Sequence, residues 1–327
     1  MRSFALWFSK INEESTKDKE VTVHINLWDK RQLSEEKYCF DFGLLLEDIR
    51  GIENIFLYVP FNIDKTHIKD LGTVISNNKL VNAIFNESFT TTDGQPKRLV
   101  VNGNGNKDSF VIYDLDVENQ IELSSCKRNN SDPGTIIKIK VNDIIPKNIF
   151  RYYFRIRIEV DCGEVYLIND EIKGTSIFSN EFTNTEVIDF RLNDIRSCSE
   201  NLREQFDKGN RFNILAVHYL ILRNANDIII HYGAQISSRM LENDLWKEYI
   251  EGANNNIIAY HIKKKSKMVI DKNGKEVIKY VDDFSDLTRF QYQKGNWTVL
   301  IKYILGVIAF GVIGGVLGNI LSNLLGI

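Results

Sequence analysis

The residue types best suited to chemistry are cations that alternate with apolar side chains along two predicted strands. In the segment RYYFRIRIEV, Arg151, Arg155 and Arg157 share one face, and the apolar residues point the other way toward a core. Lys138 and Lys140 likewise share one face of the segment TIIKIKV. If the two strands pair, these cations form one surface patch that would bind the phosphate groups of a nucleotide, a lipid headgroup or a nucleic acid. The alternative is an ordinary solvated sheet face, where Lys and Arg protect strand edges.

A second basic run precedes the C-terminal apolar segment. It contains Lys263, Lys264 and Lys265 within the stretch KKKSK. Polybasic segments near the inner leaflet attract anionic lipids, and each cation contributes about 1 kcal/mol when it is close to the surface. The run therefore predicts contact with membrane lipids, and the alternative is the charged rim of a hairpin.

Catalytic and metal-binding patterns are missing from the sequence. It contains no H-x-E, H-E-x-x-H, G-x-S-x-G, P-loop or Rossmann glycine pattern, although it has five histidines: His24, His67, His218, His231 and His261. His218 and His231 flank a predicted turn at Asn224 and would approach each other across a hairpin. Cys162 has no evident histidine partner for nucleophilic catalysis. We therefore predict a protein that is not an enzyme and that carries no cofactor and no metal.

Charge and cysteine usage narrow the function classes further. The net charge is −3 and the isoelectric point is about 6.0, which argues against direct nucleic-acid binding by the protein as a whole. The cysteines lie far apart without a C-x-x-C pair, so we expect a reducing, cytosolic environment rather than a disulfide framework. The N-terminal apolar run is too short for the core of a signal peptide.

Short apolar runs separated by turn residues predict a mainly β (α+β) body. The runs recur about every 10–12 residues, as expected for an antiparallel β-sandwich or a barrel-like body with a few helices. The segment Phe212–Ala234 is too long for one strand, so we predict a hairpin that turns at Asn224. A second hairpin turn is predicted at Asp271–Gly274. Helices are predicted for three segments: Leu71–Phe85, Ser197–Phe206 and Ser237–Gly252.

A polar segment at Asn169–Thr185 that is poor in branched residues is the best candidate for a joint between two halves. We therefore expect four parts, listed by residue number: an N-terminal β-rich domain (1–168), a second β-rich subdomain with helices (169–290), a juxtamembrane linker (291–302) and a C-terminal transmembrane helix (303–327).

The segment Tyr303–Ile327 contains no charged side chain. As a helix it would reach roughly 37 Å, which exceeds the hydrocarbon core of about 30 Å. Arg289, Lys294 and Lys302 flank its N-terminal end, and positive charge stays on the cytoplasmic side. We therefore expect a single-pass protein of the cell inner membrane with its body in the cytoplasm. A buried core helix is the alternative.

Small and polar residues collect on one half of this predicted helix, and bulky apolar residues collect on the other. The small half contains Gly311, Gly314, Gly315, Gly318, Asn319 and Ser322. Small residues at every fourth position let two membrane helices approach closely, and Asn or Ser adds hydrogen bonds between them. The pattern predicts a homo-oligomer. The alternative is that glycine is simply common in membrane helices.

A basic β-rich body on the tail YILGVIAFGVIGGVLGNILSNLLGI resembles the membrane effectors of prokaryotic antiviral defence systems. Examples are the membrane partners encoded beside short Argonautes and the transmembrane effectors of nucleotide-signalling defence operons. The resemblance implies oligomerisation, permeabilisation of the membrane, and a sensor protein encoded nearby on which the body docks. Two alternatives are a tail-anchored adaptor that recruits a partner, and a membrane-bound enzyme whose site no motif reveals.

Overall fold

Alternating apolar and polar residues fold into two large β-sheets in a computed structural model of the chain. The structure describes residues 3–11, 18–30, 37–94, 98–103, 108–127, 133–165, 168–172, 183–231, 235–250, 256–272, 274–293 and 297–326. The predicted fold class is confirmed, because the chain is mainly β and ends in a long apolar helix.

The strands are, in chain order, β1 (Ser3–Lys10), β2 (Glu20–Asp29), β3 (Lys37–Leu46), β4 (Ile52–Val59), β5 (Ile68–Asp70), β6 (Thr90–Gly94), β7 (Arg98–Asn102), β8 (Phe110–Tyr113), β9 (Ile121–Lys127), β10 (Pro133–Lys140), β11 (Tyr152–Asp161), β12 (Asn169–Ile172), β13 (Thr183–Leu192), β14 (Asn210–Arg211), β15 (Asn213–Asn224), β16 (Ile228–His231), β17 (Ile236–Met240), β18 (Ile257–Lys265), β19 (Lys267–Ile270), β20 (Glu276–Lys279) and β21 (Phe284–Gln293). The helices are α1 (Asn78–Phe85), α2 (Val117–Gln120), α3 (Glu200–Lys208), α4 (Asn243–Trp246) and α5 (Trp297–Leu325).

The first sheet has the strand order β16-β21-β13-β1-β4-β10-β9, with β12 on β13 and β14 on β1. The second has the order β17-β18-β15-β2-β3-β11-β8-β7-β6, with β5 on β11. Most pairs are antiparallel, but β1 with β13, β2 with β15 and β8 with β11 are parallel. Strands from both sides of residue 169 share each sheet, and the domain boundary placed there stays a prediction.

The main core lies between the two sheets and is rich in aromatic residues. Phe4 of the first sheet lies 5.3 Å from Phe42 of the second, measured between ring centroids. Phe190 stacks on Tyr219 across the same space, with centroids 4.7 Å apart. Burial of such side chains contributes most of the free energy that holds a sandwich together.

A buried ion cluster also joins the sheets. Arg223 of the second sheet pairs with Glu186 of the first and donates to Asp29 of its own sheet over 2.8 Å. A buried charge is tolerated only where opposite charge and hydrogen bonds compensate it. The cluster therefore fixes how the two sheets face each other.

Helices cover the outer face of each sheet. Leu202 and Phe206 of α3 pack on the first sheet, where Phe206 meets the Trp7 ring edge-on at 5.8 Å. Leu80 and Val81 of α1 and Trp246 of α4 pack in one cluster on the second sheet. The second sheet is therefore buried on both faces over part of its area.

The predicted helix at Ser197–Phe206 is confirmed as α3. The Ser199 side chain caps it by accepting from the Leu202 backbone N–H over 3.2 Å. The predicted helix at Leu71–Phe85 forms only over its second half, because Asn77 caps α1 and starts it at Asn78. The predicted turn at Asp271–Gly274 is confirmed by the β19–β20 pairing and by Gly274, whose φ of +76° suits glycine.

Two other predictions of local structure were wrong. The predicted helix at Ser237–Gly252 is replaced by β17, which pairs with β18, and by the short α4, because pairing at the sheet edge satisfies the backbone of residues 236–240. The last two residues of that prediction, 251 and 252, lie outside the described residues. The predicted hairpin around Asn224 is a crossover, because β15 lies in the second sheet and β16 pairs with β21 in the first. Local periodicity indicated the strands but not the sheet to which each belongs.

The salt bridge between Arg157 and Asp41 is a deeply buried ion pair on the outer side of the second sheet. The two residues are direct partners in the β3–β11 register, and both hydrogen bonds are short, at 2.7 and 3.0 Å. Arg157 is 2% exposed and Asp41 is 1% exposed. The pair is shielded from water, so loss of one partner leaves a buried charge.

We predict that Asp41→Asn lowers the free energy of unfolding by about 3 kcal/mol or more, because the Arg157 guanidinium then stays buried without a counter-charge. Chemical unfolding followed by circular dichroism measures the change. Asp207→Asn is the matched control, because it removes the carboxylate of an exposed pair with Arg211. Equal unfolding midpoints for the two variants would contradict the stabilising role of the buried pair.

Candidate functional site

The predicted basic patch does not form. The alternation along β11 is as predicted, and Arg155 and Arg157 share a face, but that face is covered: Arg155 is 1% exposed. The condition for the patch, pairing of this strand with TIIKIKV, is not met, because β11 pairs with β3, β5 and β8 while β10 pairs with β4 and β9. The strands belong to different sheets, so their cations are separated.

The remaining cations of that predicted patch have carboxylate partners. Lys140 and Lys138 both contact the Glu122 carboxylate, with Lys138 at 3.0 Å. Their hydrogen bonds hold the pKa of Glu122 below its ordinary value. Arg151 donates to Glu47 over 3.0 Å. Binding of an anion by these three residues stays a prediction, and any such anion would compete with these internal carboxylates.

The second basic run divides between two faces of the second sheet. Lys263 lines a pocket, whereas Lys264 points the other way and binds Asp283 over 2.8 Å. Lys265 is exposed and lies on the same face of β18 as Lys263, because side chains two residues apart in a strand share a face. Contact of the three lysines with membrane lipids stays a prediction.

The pocket beside Lys263 is the best candidate functional site. It has a volume of about 430 Å³ and lies between the outer face of the second sheet, the end of α1, β17 and α4. We call it the histidine pocket, and its polar lining consists of His24, Asn26, Asn86, Glu87, Arg155, His218, Ser237, Ser238, Arg239, Trp246, His261 and Lys263. Cavities of this volume are typical of sites for small molecules.

Three histidines from neighbouring strands form a row in this pocket. The His24 ring on β2 lies 4.9 Å from the His218 ring on β15, and His218 stacks on His261 of β18 at 5.2 Å. His218 and His24 are direct partners in the parallel β2–β15 register. The predicted approach of His218 to His231 is wrong, because His231 lies on β16 in the first sheet.

The histidine row stays uncharged near neutral pH. Burial, followed by the charges of Lys263, His261 and Lys265, lowers the pKa of His218 to about 3. Burial lowers the pKa of His24 well below its ordinary value, and His218 and Arg155 add to this effect. The pKa of His261 is lowered by burial and by Lys263. The rings therefore act as neutral donors and acceptors unless a bound anion changes their surroundings.

Arg155 lies at the base of the histidine pocket, and its hydrogen-bond partners among the described residues are neutral. It donates to the hydroxyl of Tyr249 over 2.8 Å and to that of Tyr153 over 2.5 Å. With the Asn26 amide oxygen turned toward it, Asn26 accepts a third bond over 2.7 Å. None of the described residues places a carboxylate within ion-pair distance of Arg155. Burial opposes its charge, but Tyr153, Tyr249 and Asp41 still hold its pKa above the ordinary value.

Gly43 creates the space for this arrangement. It is the partner of Arg155 in the β3–β11 register and of His24 in the β2–β3 register. A Cβ atom at this position would lie 2.1 Å from the Tyr153 hydroxyl oxygen. That hydroxyl also lies 3.2 Å from Nδ1 of His24, so Tyr153 links Arg155 to the histidine row only because residue 43 has no side chain.

Two buried nitrogen atoms of the lining have no hydrogen-bond partner among the described residues. They are Nε1 of Trp246, a residue that is 6% exposed, and Nε2 of His261. Buried polar atoms are paired in the great majority of cases, so each unpaired atom calls for an explanation. Among all the residues that the structure describes, no group of three or more His, Cys, Asp or Glu side chains is arranged to hold a metal ion.

The apolar tail forms α5 as a continuous helix. Its segment Tyr303–Leu325, 23 residues long, is long and apolar enough to cross a membrane, and none of its most apolar window is buried. A Cβ atom at Gly311, Gly314, Gly315 or Gly318 would meet nothing within 4 Å. Asn319 and Ser322 continue the same helix. Assembly through these six residues stays a prediction.

No protein-family model matches this chain, and no curated protein is similar to it in sequence. The functional argument therefore depends on the geometry of the histidine pocket and on the tail. Sequence reasoning missed this pocket although its signal was present, since each of the three histidines stands in a strand of alternating residues. What the sequence did not reveal was that β2, β15 and β18 are neighbours.

We predict that Lys263→Met raises the pKa of His218 and His261, because it removes a positive charge that opposes their protonation. Both values should stay below that of a free histidine, since burial is unchanged. Titration of the ring protons by nuclear magnetic resonance measures the shifts. Lys264→Met is the matched control, because Lys264 lies on the opposite face of the strand. Equal shifts in the two variants, or none in either, would contradict the assigned geometry.

Proposed function

We propose that this protein is a tail-anchored membrane effector. In this proposal α5 spans the inner membrane once, the β-sandwich body stays in the cytoplasm, and copies of α5 associate to perturb or permeabilise the membrane. The body senses a ligand or docks a partner that controls this association. The observation that carries the proposal is the apolar segment Tyr303–Leu325, in which none of the most apolar window is buried.

Exposure of this segment to water would be costly, because it presents a continuous apolar surface. A membrane removes that cost, and a helix satisfies its own backbone hydrogen bonds there. The basic residues on the N-terminal side of the segment favour a cytoplasmic body. The proposed location is therefore the cytoplasmic side of the inner membrane.

The small half of α5 supports association rather than simple anchoring. An anchor needs only apolar residues, whereas close packing of helices in lipid needs small residues at regular spacing. The open space around Gly311, Gly314, Gly315 and Gly318 would accept the backbone of a second copy. We propose antiviral defence in a prokaryote as the setting, on the basis of the architectural resemblance, with a sensor protein encoded nearby as the partner.

We predict that the double substitution Gly315→Ile and Gly318→Ile abolishes depolarisation and reduces the oligomer to smaller species, because β-branched side chains hold the helix backbones apart. A potential-sensitive dye in expressing cells measures depolarisation, and crosslinking in membranes measures oligomer size.

The matched control is Val316→Ile with Leu317→Ile, which changes the bulky half of the same turn and should leave both readings unchanged. Unaltered depolarisation and oligomer size in the glycine variant would contradict association through the small half. A protein that is anchored and oligomeric but never depolarises the membrane would support the adaptor alternative.

A further inference from the structure

We propose that the histidine pocket binds a small molecule or headgroup that carries a phosphate monoester, with Arg155 as the buried counter-charge of the phosphate. This inference rests on the sensing role proposed for the body and names the chemistry of what is sensed. The argument uses the charge of Arg155, the surplus of donors around it and the burial of the site.

Arg155 and Arg157 provide an internal comparison. Both are buried on the same face of β11, two residues apart. Arg157 has the Asp41 carboxylate in a two-bond salt bridge, whereas the hydrogen bonds of Arg155 among the described residues go to Tyr153, Tyr249 and Asn26. Asp41 acts on Arg155 through space and not through a direct salt bridge. A buried guanidinium without a counter-charge is strongly unfavourable. Arg155 lacks the direct salt bridge of its neighbour and faces a cavity, so it has a place for an anion that comes from outside.

The guanidinium has donors available for such an anion. It carries five N–H groups, of which its three neutral partners accept one bond each. Guanidinium groups recognise phosphate oxygens with pairs of parallel hydrogen bonds. Arg155 therefore combines charge, free donors and a fixed orientation at the base of the cavity.

The rest of the lining is also rich in donors. Lys263 and Arg239 supply two more cations, and Trp246 supplies an indole N–H that has no partner among the described residues. Nε2 of His261 is likewise unpaired there. Among the described residues that line the pocket, Glu87 is the one carboxylate. A ligand group with several acceptor oxygens fits this set, and the phosphate group of a monoester has three such oxygens.

Binding should weaken as the pH rises, and Lys263 is the group responsible. Burial and the charge of Lys265 lower the pKa of Lys263 to about 8, so the side chain is cationic at pH 7 and largely neutral at pH 9. A bound phosphate would raise that pKa, so binding is coupled to retention of the proton. The other charged or titratable groups facing Lys263 are His24, His218, His261, Arg155, Arg239 and Glu87.

The test is isothermal titration calorimetry of the full chain in nanodiscs of phosphatidylcholine, with glycerol 3-phosphate as the probe. We expect binding at pH 7 that weakens about tenfold in Lys263→Met, which removes one cation from the phosphate site. Lys264→Met and Lys138→Met should bind as the parent does, because both lysines lie outside the histidine pocket. Binding should also weaken from pH 7 to pH 9 in the parent and remain nearly constant in Lys263→Met.

A second arm identifies the source of the phosphate. In nanodiscs that contain phosphatidic acid, loss of the calorimetric signal for glycerol 3-phosphate would identify the lipid headgroup as a competing occupant. An unchanged signal would identify a soluble phosphate monoester as the ligand. Either result supports the proposed chemistry.

The proposal is overturned if neither probe binds, or if Lys263→Met and Lys264→Met bind equally. Arg155→Gln should remove binding altogether, but its burial makes loss of folding a second explanation. The exposed Lys263→Met variant therefore decides the matter. The calorimetric assay does not measure membrane potential, so the two proposals fail separately. Absence of binding with intact depolarisation would reject only the ligand. Binding without depolarisation would reject only the effector function.

Discussion

The packing of the covered outer face of the second sheet depends on two buried guanidinium groups, those of Arg155 and Arg157 on β11. Side chains alternate along a strand, so when Phe154 and Ile156 point into the core, Arg155 and Arg157 point to the opposite face. Asp41 neutralises one of them and accepts a hydrogen bond from Tyr249 over 2.5 Å. Tyr249 follows α4, so this network ties the covering layer to the sheet and makes the outer face an interior.

The histidine pocket is the incomplete part of that same interior. Tyr249 and Tyr153 place Arg155 firmly, yet no carboxylate reaches it from the part of the chain that the structure describes. The neighbouring histidines are neutral, so they add hydrogen-bond donors without repelling the positive charge of Arg155. Rigid donors around one buried charge are the arrangement by which proteins prepare an anion site in advance.

The sequence allowed prediction of local features and failed on the long-range ones. The alternation of β11, the helix predicted at Ser197–Phe206 and the apolar tail depend on neighbours in the chain, and all three predictions are confirmed. The partner of each strand was not predictable, because β15 pairs with β2 and β11 pairs with β3 across long stretches of sequence. A period of two tells which side a residue takes, but not whether another layer covers that side. For that reason Arg155 and Arg157 were expected on the surface.

The tail and the body have separate physical requirements, and the proposed function joins them. The body buries most of its apolar residues within itself, whereas α5 leaves its own exposed.

The most direct measurement is carbonate extraction of membranes from cells that express the full chain or a version ending at Asn296. The account predicts that the full chain stays in the carbonate-washed membrane and that the shortened chain is released. Release of the full chain into the soluble fraction would contradict it.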